Sequence, residues 1–447
     1  MNTIQVIIKE LSSEGHGIGY DQKGQKYYVL GSFPEDILDV TPYKTVNGKQ
    51  YAQITHIIQP SPKRSHTPQE FPFFQFHAPW LYLSYEHECY YKKKIINQIM
   101  KPYIDGSSDI EVHSVNEEKT LRYRNKSAFS FTNDPQGNIC YAMYPRGIAS
   151  TEKQVFKDNA LEHPQISKAA KDFLLFFRKH HAYSSLKYIV FRYSYLEDTI
   201  VAHILTTASS RKSISFKKRD LKNFYEQHDY LKGVLVSSSP KNIRSSLTIK
   251  DFYHYGDISI CEHVDGKNYA YHPSQFFQIF PEGFSEILRD IKKRISSIPN
   301  SHSYELLDLY AGIGIIGIHV SNLVSRVIAV EQSPLAQKYA YRNAKENKVI
   351  SYTFFESDAH ESLHSLRSHQ ILILDPPRSG IDITLIQNIT DIQPEHIFYL
   401  SCNPHTQARD ISQLLPYYEY QWSRAYNLFP HTHHIEHLIH LQRKRGA

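Results

Sequence analysis

Tyr304-Glu305-Leu306-Leu307-Asp308-Leu309-Tyr310 runs straight into Ala311-Gly312-Ile313-Gly314-Ile315-Ile316-Gly317. The first seven residues read as a strand and the residues beyond the glycines as a helix. Glycines at a strand-to-helix turn let a ligand approach the backbone at the carboxyl edge of a parallel sheet. The next strand, Arg326-Val327-Ile328-Ala329-Val330, ends at Glu331, where a carboxylate can accept hydrogen bonds from both hydroxyls of a ribose. A glycine loop followed by such an acid fits two ligand classes, a dinucleotide or S-adenosylmethionine.

Two features favour S-adenosylmethionine. The glycine motif is Asp308-x-x-x-Gly312-x-Gly314, with an acid inside the strand. A third strand then closes in Phe354-Phe355-Glu356-Ser357-Asp358-Ala359, placing Asp358 where an adenine amino group would lie. The fourth strand, Gln370-Ile371-Leu372-Ile373-Leu374, gives way to Asp375-Pro376-Pro377-Arg378-Ser379-Gly380. Two prolines after an acid make a rigid lip that can present a carboxylate and backbone carbonyls to a planar substrate. A fifth apolar run, Ile397-Phe398-Tyr399-Leu400, delivers Ser401-Cys402-Asn403-Pro404 to the same edge, so the Cys402 thiol sits where a rigid scaffold hands groups to a cleft. Last comes a loop from Leu428 that runs into an alternating strand ending at Leu441. Its histidines lack a matching ligand set and the HExxH spacing, so no metal is expected there. Glu436, at the strand entrance among apolar neighbours, is the better functional candidate. The rhythm from residue 266 to 447 is that of a Rossmann-like, doubly wound α/β domain.

Upstream the pattern differs. Residues 1–60 alternate in short strands (Ile4-Val6-Ile8, Lys26 to Leu30, Ala52 to Ile58) broken by Gly15-His16-Gly17-Ile18-Gly19, as in a small oligonucleotide-binding β-barrel. Pro60-Ser61-Pro62-Lys63-Arg64 reads as a stiff linker. Residues 61–265 mix helices and strands in an α+β region. A helix with a basic face is expected from Tyr85 to Met100, and paired strands at Tyr188–Phe191 and Ile200–Leu205.

Of the 447 residues, 41% are hydrophobic and 13% aromatic, which excludes a disordered chain. The net charge is +6, gathered in Lys92-Lys93-Lys94, Arg122/Arg124/Lys126, Arg211-Lys212, Lys217-Lys218-Arg219 and Arg443-Lys444-Arg445, many beside tyrosines. Cations for phosphates interleaved with rings for bases suit a nucleic-acid partner. The four cysteines (Cys89, Cys140, Cys261, Cys402) are scattered without a CxxC pair, which points to a reducing cytoplasm. A leader pattern at Met1 and a membrane-length apolar run are both lacking, so neither a membrane nor an obligate protein partner is expected.

Taken together, Phe276-Phe277-Gln278, Asp308-Leu309-Tyr310-Ala311-Gly312-Ile313-Gly314, Asp375-Pro376-Pro377-Arg378, Ser401-Cys402-Asn403-Pro404 and Phe429-Pro430-His431-Thr432-His433-His434-Ile435-Glu436 resemble the motifs of the S-adenosylmethionine-dependent RNA uracil-5-methyltransferases. The likeness covers nearly the whole chain: residues 1–60 resemble the TRAM domain of the ribosomal-RNA branch, and Tyr123-Arg124-Asn125-Lys126 a motif of the central domain. The resemblance implies that Gln278, Tyr310, Glu331 and Asp375 contact the cofactor or line its pocket, joining Asp358, which the end of the third strand already places at the adenine. It further implies Cys402 as nucleophile and Glu436 as base. The chemistry supports those roles, because uracil C5 attacks a sulfonium methyl only after a thiolate adds at C6, and a carboxylate must then take the C5 proton. Members of the ribosomal branch often carry an iron–sulfur cluster on four cysteines. Here Gln75-Phe76-His77-Ala78 stands where a CxxC pair would be, so no cluster is expected. Phe280 also replaces a usual asparagine, and Ala311 a frequent cysteine.

The expectation is therefore a methyltransferase acting on a uridine of 23S ribosomal RNA, chosen for the TRAM-like segment. Transfer RNA is the alternative substrate. A non-catalytic RNA-binding or RNA-folding factor on the same fold is the alternative outside the enzymes.

Overall fold

The structure is a computed structural model describing residues 3–65, 77–104, 109–144, 153–156, 159–180, 183–241, 248–359, 361 and 365–445. Five strands come first: β1 (Ile4–Leu11), β2 (His16–Tyr20), β3 (Lys26–Leu30), β4 (Ile37–Val46) and β5 (Lys49–Gln59). They close into a barrel in the order β1-β2-β3-β5-β4, so no strand keeps an open edge. Alternation turns Val6, Ile8, Val29, Leu38 and Val40 into its core. Residues 60–64 are no free linker. Ser61 is buried and donates to the Pro34 carbonyl, while Arg64 pairs with the buried Asp36 carboxylate at 2.6 Å, folding the segment back onto the barrel.

Helix α1 (Tyr85–Met100) follows, capped by the Ser84 side chain, and then the short strand β6 (Val112–His113). A seven-stranded sheet forms the middle of the molecule. It is built from β7 (Lys126–Asn133), β8 (Ile139–Met143), β9 (Gln154–Val155), helix α2 (Pro164–Lys179), β10 (Leu186–Ser194), β11 (Thr199–Thr206), helix α3 (Lys218–Glu226), β12 (Leu231–Ser238) and β13 (Lys250–Gly256). Its order is β13-β12-β11-β10-β7-β8-β9, with β10 and β11 antiparallel in the register Val190↔His203. Phenylalanines on α2 (Phe173, Phe176, Phe177) fill the core against that sheet.

A hairpin of β14 (Ile260–Val264) and β15 (Lys267–Tyr271) leads into the last unit; it runs across residue 265. There α4 (Pro281–Ser296), β16 (Glu305–Leu309), α5 (Ile315–Val320), β17 (Arg326–Glu331), α6 (Pro334–Glu346), β18 (Tyr352–Glu356), β19 (Gln370–Leu374), α7 (Ile383–Ile392), β20 (His396–Ser401), α8 (Pro404–Leu414), β21 (Tyr418–Tyr426) and β22 (Glu436–Arg443) alternate. The sheet order is β18-β17-β16-β19-β20-β22-β21-β6, with β16 to β20 parallel and β22 antiparallel to β20. This is a Rossmann-like, doubly wound α/β architecture. Each central strand feeds two cores. Leu307, Leu372, Leu374 and Ile397 face one, and Leu306, Ile371, Ile373 and Leu400 the other. Burial on both faces explains the unbroken apolar runs. It also explains why β22, expected to alternate, is buried over its first six residues: β20 and β21 flank it.

Candidate active site

Because β16 to β20 run parallel, their carboxyl ends open on one edge. Glu331 is the last residue of β17. Its carboxylate accepts from the Gly312 amide at 3.3 Å and the Ser333 amide at 3.0 Å, fixing it beside the glycine turn, where Gly312 and Gly314 take positive φ. Beneath that turn Asp308 is buried and accepts from the Gly317 amide at 2.9 Å. Burial pushes its carboxyl up to about 7, and it acts as a strut under the loop. Glu331, Tyr310 and Asp358 line a cavity of about 610 Å³, closed on the far side by Pro377, Ile381 and Asp382. A Cβ at Gly312 would meet nothing within 4 Å, so the backbone there is open to a ligand. Acids that accept from hydroxyls and an amine, with an apolar wall from Val330 and Ile386, fit an adenosine. Gln278 does not line this cavity. It is buried ahead of α4, where its carbonyl accepts from Asn125 Nδ2 at 3.3 Å.

On the same edge, β20 and β22 pair Leu400 with Leu438 and Ser401 with His437. One step further, that register sets Cys402 against Glu436. Continuing the side-chain alternation past the strand ends puts Asp375 and Cys402 on the face of Ile373 and Leu400, and Glu436 on that of Leu438. Helix α8 holds the two lips together. Asn403 Nδ2 donates to the Arg378 carbonyl at 2.9 Å and Thr406 Oγ1 to the same oxygen at 3.2 Å. Behind them the buried Asp410 accepts from the Ile381 amide and the Tyr399 hydroxyl, both at 2.8 Å.

The charges within this group act on one another. Burial and the Glu436 carboxylate push the Cys402 thiol up to about 11, and the Arg378 guanidinium opposes them. Burial, then the charge of Asp375, lifts Glu436 well above the carboxylate range. Burial alone lifts Asp375 to about 7. A thiol, two carboxyls of raised proton affinity and one guanidinium thus share a half-closed site.

A second cavity, of about 530 Å³, opens past Arg378. Its walls come from three parts of the chain: Glu14 and His16 of the barrel, Arg124 and Tyr144 of the middle sheet, and Arg378 and Phe429 of the last unit. Contacts between these parts are close. Gly15 has φ +84°, and a Cβ there would stand 2.7 Å from the His433 ring. Trp80 Nε1 donates to the Gly15 carbonyl at 3.0 Å, and the Trp80 amide to the His431 carbonyl at 3.0 Å. The loop before Glu436 is pinned from α1. Glu88 and Lys92, both fully buried, pair at 2.8 Å. Lys92 also donates to Asn427 Oδ1 at 2.6 Å, and Glu88 accepts from the His431 amide at 2.8 Å.

These contacts correct the expected basic surface. Lys92 lies inside rather than on a basic face of α1, because Glu88 sits four residues before it and Asn427 completes its shell. Tyr123 is buried, and its hydroxyl donates to the Pro430 carbonyl at 3.2 Å. Lys126 is pushed down to about 7, chiefly by the Arg192 charge and by burial. Arg378, Asn403 and the Glu88–Lys92 pair had no assigned roles. Arg378 stood in view beside Asp375, whereas the Glu–Lys pair carried only the weak signal of opposite charges four residues apart. In β22, burial pushes His437 and His440 down to about 3, whereas His433 and His434 of the preceding loop line the second cavity. Among the described residues no group of three or more His, Cys, Asp and Glu side chains could hold a metal. Gln75 and Phe76, where the cluster cysteines would stand, lie outside the described residues. No helix among those residues is long and apolar enough to cross a membrane.

Comparison with known proteins bears on the family and the fold. The family model for tRNA (uracil-5-)-methyltransferase matches residues 84–367 and 355–444. A protein of Prochlorococcus marinus, named an uncharacterized RNA methyltransferase, is 31% identical over 373 residues, covering 79% of this chain and 85% of that one. One of the same description from Caldanaerobacter subterraneus is 27% identical over 448 residues and 97% of both chains. The fold is similar to that of the Pyrococcus abyssi tRNA (uracil-54, C5)-methyltransferase in complex with S-adenosyl-L-homocysteine, with a TM-score of 0.77 at 21% identity over 98% of this chain and 100% of that one.

Proposed function

The chain belongs to the tRNA (uracil-5-)-methyltransferase family, S-adenosylmethionine-dependent enzymes that methylate RNA, and from that premise we propose that it methylates C5 of a uridine in 23S ribosomal RNA through a covalent adduct at Cys402. The observation that carries the chemistry is the register that opposes Cys402 and Glu436 beside Asp375 and Arg378. S-adenosylmethionine supplies an electrophilic methyl group, and Glu331, Asp358 and Tyr310 would hold its adenosine in the larger cavity. Gln278 and Asp375, which do not line that cavity, are the proposed contacts to the rest of the cofactor.

Cys402 Sγ, having released its proton to solvent as the base enters, forms a bond to C6 of the uracil, and the C5–C6 electron pair becomes the nucleophile. Asp375, with an affinity near neutrality, donates or accepts at the uracil edge. After transfer, Glu436 takes the proton from C5. The electrons of that C–H bond restore the double bond, and the C6–S bond breaks to release thiolate. The raised proton affinity of Glu436 suits a base that must capture a carbon-bound proton. Arg378, whose charge favours thiolate, sets the step in motion.

The preference for ribosomal RNA rests on the N-terminal barrel, whose β1–β2 turn walls the second cavity. A flipped-out base would enter there. Transfer RNA is the second reading, favoured by the substrate in the name of the matching family model and of the Pyrococcus protein. The test is methyl transfer from labelled S-adenosylmethionine to unmodified RNA, with ribosomal and transfer fractions analysed as nucleosides. Label in 5-methyluridine of 23S ribosomal RNA is expected. The same nucleoside in transfer RNA alone would keep the chemistry and reverse the choice of substrate.

A further inference from the structure

One charged surface has no part in the site described above. Arg211, Lys212, Lys217, Lys218, Arg219 and Lys222 are all exposed on α3 and the turn leading to it. Lys222 is held by Glu226 at 3.3 Å, and Arg219 has only its neighbour Asp220, at 3.9 Å. Asp220 is itself shared with His180 at 3.3 Å. Among the described residues, Arg211, Lys212, Lys217 and Lys218 have no carboxylate within ion-pair distance. Lys217 is the N-cap of α3 and makes no side-chain capping bond, and Lys218 and Arg219 open the helix. Three cations therefore stand at the positive end of the helix dipole, where anions are favoured and cations are repelled.

Tyrosines lie directly beneath them. Lys218 Nζ is 5.2 Å from the Tyr253 ring and 5.9 Å from that of Tyr255, and Tyr255 donates its hydroxyl to the Lys218 carbonyl at 2.8 Å. Arg211 is close enough to act on the Tyr253 phenol. Both tyrosines belong to β13, which ends the middle sheet with only β12 beside it. At its start, Asp251 stands 3.8 Å from His272, four residues before Phe276. Tyr255 lies four residues further along, about 13 Å at roughly 3.3 Å per residue. The patch is thus one short strand away from the segment that leads to Gln278.

We propose that this face of α3 and β13 is a docking surface for a single-stranded stretch of the substrate RNA outside the target nucleotide. Unpaired cations take its phosphates and Tyr253 and Tyr255 offer rings to its bases. The inference rests on the RNA-methylating reading given above. An acidic protein segment would satisfy the cations but leave the aromatic rings unused, which favours RNA.

The test uses the full-length enzyme and a triple variant, Lys217→Gln, Lys218→Gln and Arg219→Gln, with the Lys217→Arg, Lys218→Arg variant as the charge-conserving control. Removing cations from the positive end of α3 leaves the melting temperature unchanged or raises it, so loss of fold cannot imitate the effect. Binding of labelled oligouridylate, measured across salt concentrations, is expected to lose about 2 from the magnitude of its log–log salt slope, at about 0.7 per contact removed. In methyl transfer, KM for a long unmodified transcript rises about tenfold with kcat unchanged, and the arginine variant behaves as wild type. Unchanged salt slope and KM in the triple variant would overturn the proposal, as would equal competition by polyglutamate. Failure of the wild-type enzyme to methylate any RNA would defeat the functional reading instead, while the oligouridylate slope still decides this one.

Discussion

Pro377 and Ser379 line one cavity and Arg378, between them in the chain, lines another, and the two cavities are built in different ways. The larger, of about 610 Å³, takes its walls from residues 310 to 413, in chain order along one sheet edge. The smaller, of about 530 Å³, joins the barrel turn at Glu14, the middle sheet at Arg124 and Tyr144, and the loop at Phe429. The first is a property of one domain and needs only parallel strands to place its acids. The second exists only when three parts of the chain are docked. Cofactor binding should therefore tolerate damage that RNA handling does not.

The largest effect expected along that division is at the nucleophile. Cys402→Ala should lower methyl transfer by more than about a thousandfold, while binding of S-adenosylmethionine, measured by calorimetry, stays near wild type. Loss of both together would mean that the two cavities are not separable.

Next is the buried pair behind the second cavity. Lys92→Met leaves Glu88 buried without its cation, at a cost of about 3–5 kcal/mol in stability, read as a fall in urea midpoint. A change of under 1 kcal/mol would show that Asn427 and the His431 amide suffice for Glu88. On the cofactor side, Glu331→Ala removes a carboxylate held by two amides. It should weaken S-adenosylmethionine about 10- to 100-fold, the value of a hydrogen bond to a charged group. Unaltered affinity would remove Glu331 from the cofactor site.

The smallest effect concerns pH. Burial and Glu436 hold the Cys402 thiol near 11, so alkylation of the free enzyme by iodoacetamide should keep rising with pH well beyond 9. Arg378 lowers that affinity. Arg378→Ala should therefore raise it and slow alkylation at pH 9 several-fold, since a full unit would be tenfold. Faster alkylation would show that Arg378 shields the thiol instead of favouring its ionised form.

The same contrast explains what the sequence made legible. Strand tips at Glu331, Asp375 and Cys402 can be read because each follows a buried apolar run, and parallel strands bring successive tips to one edge; the strand before Asp358 is only partly buried. The opposition of Cys402 and Glu436 was not readable. It depends on β22 entering antiparallel beside β20, a pairing between segments that no local pattern marks. The basic groups misled for a related reason. Charge alone does not separate Lys92, which is buried with Glu88, from Lys218, which is exposed above Tyr253. Burial is decided by what packs on a helix, and α1 is covered by the loop at Asn427 whereas α3 presents its first turn to solvent. Strand β6 escaped because two residues carry no period of their own; they are recruited by the edge of β21.

The central claim is that Cys402 and Glu436 act on opposite steps of one adduct, and Glu436→Gln tests it most directly. Incubated with S-adenosylmethionine and unmodified RNA, then digested, this variant should yield a Cys402 peptide carrying a methylated uridine nucleotide by mass spectrometry. Normal release of 5-methyluridine by Glu436→Gln, with no adduct on Cys402, would contradict the account.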